Sequence, residues 1–411
     1  MLDIKFIAEN LDQFKKAAET KGIKADLSKV PDLSKRRSKL IQEVEKLRSE
    51  QKALQGEEAK EKGPALKVEI QKIEPELKKV EEELGKILQV LPNIPKEDVK
   101  KGASEEENEV IRAVGEKRKF DFEPKDSADI GKDLGIIDTE RGAKVSGSRF
   151  GYLKGDGALL EFALIQYAMS VLTKEGFEPI VPPVMISDES MDAMGYLIHG
   201  GDEESYHFKK DNLYLVGTSE QSVGPFHMNE ILEADRLPLR YAGFSTCFRR
   251  EAGSYGKDTK GIFRVHQFDK IEMFSFTHPD KSDKEHEFLL GLEEKLTQGL
   301  GLHYQVVKMC TGDLGIPAAR KYDIECWFPF QKRYRETHST STCTDYQARR
   351  LNIRYKNPKT GKNEHVHMLN GTAFAIGRTI LAILENYQKK NGSVEIPEVL
   401  RPFMFGKEKI G

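Results

Sequence analysis

Residues 248–272 read FRREAGSYGKDTKGIFRVHQFDKIE. The stretch opens on Phe-Arg-x-Glu and closes on Arg264, Phe268 and Glu272, with Gly253, Gly256, Lys257, Lys260 and Gly261 between them. Two alternating segments around a Gly-rich, basic turn predict antiparallel strands joined by a long hairpin loop. Side chains two apart on a strand share a face. Arg249 and Glu251 are therefore expected to point together, and so are Phe268 and Glu272. A guanidinium, two carboxylates and an aromatic ring on one sheet surface suit an anion, an amine and a flat base held side by side.

Outward from this hairpin, the 411 residues allow two or three domains. Apolar residues make up 38% and charged residues 32%, more charge than a compact globule usually carries. That excess points to an elongated, solvated element. The net charge of −2 gives no global basic field, so any nucleic-acid surface must be local. Cys247, Cys310, Cys326 and Cys343 show no metal-ligand spacing and fit reduced thiols. Neither a membrane span nor a signal peptide is evident, and a soluble, cytoplasmic protein is expected.

The elongated element lies near the N-terminus. Leu66, Ile70, Ile73, Leu77, Val80, Leu84, Ile87 and Leu91 recur at four-then-three spacing, and Leu33, Leu40, Leu47 and Leu54 every seven, with Val44 on the same seam. Both are heptad seams. Gly63 and Pro64 separate them, and proline suits the first position of a new helix. Two helices joined so tightly should fold back as an antiparallel coiled-coil hairpin, on the order of 40 Å long at about 1.5 Å per residue. Pro75 falls inside the second helix. The prolines of LPNIP (91–95) end the arm, and a polar, acidic linker follows. These features place an N-terminal domain at 1–107, with its arm at 33–91, and a second domain at 108–411.

The C-terminal part lacks both the Gly-x-Gly-x-x-Gly of a parallel nucleotide-binding sheet and a Walker loop. A nucleotide site there has to be of another kind, and an antiparallel sheet covered by helices is the natural candidate. The expected class is α+β.

The hairpin resembles motif 2 of the class II aminoacyl-tRNA synthetases, and GKDTKGIFRVHQFDKIE is similar to seryl-tRNA synthetases of bacterial type. The likeness extends further. Thr218, Ser219 and Glu220 resemble the family's serine-site triplet, and Glu336, Thr337, His338 and Ser339, with CTDYQARRLNIRYK (343–356), resemble its ATP and metal segment. NGTAFAIGR (370–378) resembles motif 3, within about 368–388, and GFEPIVPP (176–183) a degenerate motif 1, within about 176–187.

The resemblance implies a homodimeric serine–tRNA ligase. It would join serine and ATP into seryl-adenylate, with Mg²⁺, and pass the seryl group to tRNA(Ser), with tRNA(Sec) as a further candidate. The heptad arm would be its tRNA-binding arm. Activation needs positioning and charge stabilisation more than proton transfer. Arg249 would hold the serine carboxylate and the α-phosphate, and Arg378 the γ-phosphate. Phe268 would stack on adenine while Glu251 and the backbone near Val265 read its edge, and Gly371, Ala373 and Ala375 would leave room for the ring. Arg250, Thr337 and His338 complete the expected ATP segment. Glu336 and Ser339 would ligate Mg²⁺ as hard oxygen donors. Glu272 would meet the serine ammonium and hydroxyl, with Thr218, Ser219, Glu220 and Thr372 around it. The chain carries Arg250, His338 and Thr372 where Ser is common in the family. A carrier-protein ligase would lack the arm, and an inactive paralogue would lose Arg249, Glu251 or Arg378; the arm pattern and all three residues are present.

Overall fold

The computed structural model describes residues 4–198, 201–252 and 260–411. Two units make up the chain, Met1–Ile94 and Pro95–Gly411. In the first, short helices α1 (Ile4–Glu9) and α2 (Leu11–Thr20) precede the long pair α3 (Val30–Ala53) and α4 (Gly56–Gln89). Pro31 sits in the first turn of α3, where its missing N–H costs nothing. The seam is driest at the base, where Leu33, Leu40, Val80, Leu84, Leu88 and Leu91 pack with Ile4, Ile7 and Phe14. Ion pairs Lys29–Glu83, Arg36–Glu76, Arg37–Glu81 and Arg48–Glu74 cross from α3 and its N-cap Lys29 to α4 and confirm the antiparallel register. Most of these side chains are half-exposed, so the pairs fix register more than they add stability.

The turn between the helices falls at Leu54 and Gln55 instead of Gly63 and Pro64. Gly56 takes a φ of 59°, a left-handed conformation that glycine adopts without strain. The good helix formers of EEAKEK (57–62) then carry α4 through Pro64, and both Pro64 and Pro75 lie inside it. The domain boundary also moves. Residues 95–107, expected with the arm, belong to the second unit: Lys96 N–H donates to Ala319 O, and Thr311 N–H to Lys100 O. A polar composition did not make this segment a free linker, because its backbone groups find partners there.

The second unit is built on an eight-stranded sheet. Its strands are β1 (Glu109–Val114), β2 (Glu178–Ile180), β3 (Leu239–Phe248), β4 (Gln267–Thr277), β5 (Tyr304–Lys308), β6 (Arg320–Phe328), β7 (Arg333–Thr342) and β8 (His367–Ala375). The order is β1-β5-β6-β7-β8-β4-β3-β2. Every pairing is antiparallel except β2 with β3. Helices α5 (Asp156–Leu172), α6 (Ser282–Gly299) and α7 (Ile376–Tyr387) join the sheet in one apolar core, and α6 packs on β7 and β8. The expected α+β class is the observed one.

Two irregularities shape the centre of the sheet. The β4–β8 register shifts between Ile271 and Glu272, and the β6–β7 register between Ile324 and Glu325. Such bulges re-aim side chains locally, and both lie beside the cleft described next.

Candidate active site

Strand β3 ends at Phe248 and β4 begins at Gln267. Arg249, Arg250 and Glu251 therefore lie past the strand, and Glu251 takes a φ of 53°, so strand alternation does not explain why Arg249 and Glu251 meet. Both nevertheless line one cleft with Arg264, Val265, Phe268, Glu336 and Arg378. Gly253, Gly256 and Lys257 of the connecting turn lie outside the described residues. Lys260 is described and pairs with Asp129 at 2.8 Å.

One side of the cleft is a set of held cations over aromatic rings. Arg249 Nε donates to Gly217 O at 3.1 Å, and its guanidinium stands 5.2 Å from the centre of the Phe268 ring. Arg264 Nη1 donates to Glu251 Oε2 at 3.1 Å. Arg378, in the first turn of α7, donates through Nη1 to Glu336 O at 3.1 Å and Glu336 Oε2 at 3.0 Å, and lies 4.9 Å from the Phe263 ring. Burial would raise the Glu336 carboxyl, but Arg378, Lys321 and Arg249 outweigh it and hold it at about 2. The group is ionised at neutral pH and half-exposed, with Ser339 three residues on along the same cleft.

The other predicted ATP-side residues divide. Val265 and Phe268 reach the cleft. Arg250 turns away: its Nε donates to Ser205 O at 3.1 Å, and its guanidinium lies 5.0 Å from the Tyr206 ring. Thr337, the extra residue of the β6–β7 bulge, gives its hydroxyl to Ile324 O at 3.2 Å. His338 Nδ1 meets the same hydroxyl at 2.8 Å. Burial pushes this imidazole down to about 3, so it is neutral, and its ring leans on Phe374.

Deeper in the sheet is a buried polar cluster. Glu272, paired in register with Thr372, accepts at Oε2 from Thr218 Oγ1 at 3.5 Å and Thr372 Oγ1 at 3.3 Å. The Lys270 ammonium lies 2.5 Å from the same oxygen. Glu220 Oε1 accepts from Asn370 Nδ2 at 2.9 Å and Gln347 Nε2 at 3.3 Å. Burial, then the nearby Glu272, raises the Glu220 carboxyl to about 7. Ser219 is wholly buried and donates to Gly243 O at 3.0 Å, so its hydroxyl braces strand β3 instead of facing the cleft.

One expectation fails in the motif 3 strand. Gly371 alternates with Thr372, which puts it on the opposite face, and Ala373, skipped where the β4–β8 register shifts, is buried in the apolar core. A Cβ at Gly371 would meet Glu293 Oε1 on α6, with Met273 and Thr340 beside it. Of the three small residues expected to leave room, Ala375 does line the cleft beside Phe268, and Gly377 lines it as well. Lys270 was not singled out from the sequence, although its place midway between Phe268 and Glu272 on one strand face could have marked it. Phe263, between Arg378 and Arg335, carried no such signal.

The donor set suits a magnesium–phosphate group. Mg²⁺ commonly takes one or two protein carboxylates and fills its remaining positions with phosphate oxygens and water. An ionised, half-exposed Glu336 and the Ser339 hydroxyl meet that need. Among the described residues no group of three or more His, Cys, Asp or Glu side chains is placed to hold a metal ion without such help.

Comparison with other proteins gives a consistent likeness along the chain. The profile of the seryl-tRNA synthetase N-terminal domain matches residues 1–95, and that of the tRNA synthetase class II core domain (G, H, P, S and T) matches residues 206–387. A serine–tRNA ligase of Maridesulfovibrio salexigens is 46% identical over 423 aligned residues, covering 100% of this chain and 99% of its own. One from Thermobifida fusca is 53% identical over 317 residues, 77% of this chain and 74% of its own. The crystal structure of seryl-tRNA synthetase from Pyrococcus horikoshii complexed with ATP matches with a TM-score of 0.89 at 38% identity, covering 100% of this chain and 99% of that one.

Proposed function

The chain belongs to the seryl-tRNA synthetases, and from that premise we propose how its cleft divides the work of joining serine to ATP. The single observation behind the reading is convergence: Arg249, Phe268, Glu336 and Arg378, from four separate segments, line one cleft that backs onto the Lys270–Glu272–Thr372 cluster.

Adenine stacks on Phe268, with Glu251 and the Val265 backbone at its edge. Arg378 takes the terminal phosphate, exchanging its hold on Glu336 for the nucleotide. Arg249 presents a fork of donors to the α-phosphate and the serine carboxylate, aligning the attacking oxygen and balancing the charge that develops on the phosphoryl group. Glu336 and Ser339 would hold Mg²⁺, which supplies Lewis-acid neutralisation of phosphate charge when bound. Glu272 receives the serine ammonium, and Thr218 and Thr372 lie where they can reach the hydroxyl. A pocket that hydrogen-bonds this hydroxyl rejects alanine strongly, because alanine would leave buried polar groups unpaired.

The seryl group then passes to the terminal adenosine of tRNA(Ser), with tRNA(Sec) as a second acceptor to be tested, and the α3–α4 arm carries the RNA contact. The protein acts in the cytoplasm and works as a homodimer. Phe162 on α5, and Val181 and Met185 in the motif 1 stretch, are large apolar side chains left exposed, as apolar surface that another subunit covers would be. Val181→Asp should then shift sedimentation equilibrium towards monomer. The activity itself is tested by amino-acid-dependent ATP–pyrophosphate exchange across a panel of amino acids. Exchange with serine well above every other member is expected, and a profile favouring another amino acid would overturn the reading.

A further inference from the structure

The sheet-facing side of α6 carries a carboxyl that the cleft chemistry does not use. Glu293 is 0% exposed, and neither of its oxygens has a hydrogen-bond partner among the described residues. It lies directly beneath Gly371: a Cβ there would stand 3.0 Å from Glu293 Oε1 and 3.2 Å from both Met273 Cε and Thr340 Oγ1. Gly371 is paired with Met273 on β4 and Thr340 on β7. The next residue, Thr372, sends its hydroxyl to Glu272 on the opposite face. The absent side chain at Gly371 is thus the space that the Glu293 head group fills.

The charged groups around Glu293 are Glu272 on β4, Asp323 and Lys321 on β6, and Glu294 on its own helix. Strand β7 offers the Thr340 hydroxyl and β8 no charge. Lys321 is already paired with Asp323 at 3.0 Å. A carboxylate with no donor and no solvent is strongly disfavoured against its neutral acid. Burial, then Glu272 and Asp323, push Glu293 well above the ordinary carboxyl range.

We propose that Glu293 is a positioning residue of the serine pocket, filling the space under Gly371 as the uncharged acid and keeping Thr372 against Glu272 only while it stays uncharged. Loss of its proton would put a charge in a sealed slot. Water or a cation would have to enter, and the Gly371–Thr372 segment would have to move to admit it. The proposal rests on the assignment of Glu272 and Thr372 to serine.

The test compares the wild-type enzyme with Glu293→Gln, which keeps shape without an ionisable proton, in serine-dependent pyrophosphate exchange from neutral to alkaline pH. Serine's own amine titrates equally in both, so it cancels in the ratio of their kcat/KM values. The ratio should be near one at neutral pH, and the wild type should fall behind by about tenfold one pH unit beyond the ionisation, with the loss in KM for serine more than for ATP. Infrared difference spectra between the two at neutral pH should show the C=O stretch of a protonated carboxylic acid that the variant lacks. If Glu293→Gln folds poorly, Glu293→Met, similar in volume, replaces it in both measurements. A ratio that stays flat with pH overturns the positioning role, and absence of the band overturns the neutral acid. Failure of the serine assignment reads differently: Glu272→Gln would then leave the serine KM unchanged while the infrared band persists.

Discussion

The Lys270 ammonium stands 2.5 Å from Glu272 Oε2, and the two side chains are only 8% and 2% exposed. An internal ammonium therefore occupies the oxygen on which a substrate ammonium would have to settle. A buried carboxylate cannot wait unpaired for its ligand, since removing one partner of a buried pair costs about 3–5 kcal/mol. Lys270 supplies that partner, and on the proposed assignment of Glu272 the serine amine must join or displace it.

Glu272→Gln should accordingly weaken serine far more than ATP, and titration calorimetry with each ligand measures the difference. Lys270→Met should lower stability in the absence of ligand while making serine a stronger stabiliser in thermal unfolding than it is for the wild type. Equal weakening of both ligands in the first variant, or an unaltered serine shift in the second, would remove Glu272 from the ammonium site.

The two cleft arginines are expected to matter through charge placed in advance of reaction. Loss of one such donor costs at least about two orders of magnitude in rate. Arg249→Ala and Arg378→Ala should each lose at least that in serine-dependent pyrophosphate exchange while unfolding normally. Since Arg378 also holds Glu336 at 3.0 Å, its loss should weaken ATP as well. Exchange within a few-fold of wild type in either folded variant rules that residue out of the chemistry.

Glu220 makes stability depend on pH. Its carboxyl is raised from an ordinary 4.5 to about 7 by burial and then by Glu272. A raised value means that the folded chain keeps the proton while the unfolded chain loses it. The stabilisation is complete below about 4.5 and is lost as pH rises towards 7. Glu220→Gln can still accept from Asn370 and Gln347 through its amide oxygen. It should flatten this slope and unfold at higher urea above pH 7, by about 3 kcal/mol in free energy. An unchanged slope in urea titrations across this range would show that Glu220 is ionised in the fold.

What was legible in the sequence was chemistry that depends on residue type, and what was not depended on which way a backbone turns. Arg249, Glu251, Phe268, Glu336 and Arg378 could be assembled from motif wording, and the fold brings them to one cleft. Gly371 could not be placed from the sequence. Strand alternation gives it the face opposite Thr372, and only the α6 packing reveals Glu293 beneath it. Arg250 and Ser219 stand within motifs yet donate to the backbone at Ser205 and Gly243, a choice made by chain path and not by residue type. The arm turn was misplaced because Gly63 and Pro64 look like the stronger break. The left-handed Gly56 was decisive, since it starts α4 three residues after α3 ends and lets Leu40 of α3 share one apolar cluster with Ile73, Leu77 and Val80 of α4.

The arm gives the last test. Over residues 33–91 it carries 14 Lys and Arg against 12 Asp and Glu, too even a balance to grip RNA by bulk charge. Arg36 and Arg37 are tied to Glu76 and Glu81, so the exposed Lys39, Lys78 and Lys79 are the better phosphate contacts. Double-stranded RNA is recognised mainly by shape and through phosphates and 2′-hydroxyls, so a few lysines along one edge suffice. The Arg37–Glu81 pair marks a level where the helices can be rejoined, above the Val80, Leu84 and Leu88 base. Replacing residues 38–79 with a short Gly/Ser turn should leave serine-dependent pyrophosphate exchange nearly intact. Transfer to tRNA should fall sharply, and the salt dependence of residual RNA binding should become shallower by about one unit for each phosphate contact removed. If the shortened enzyme charges tRNA as well as the full chain does, the arm serves the fold and not the RNA.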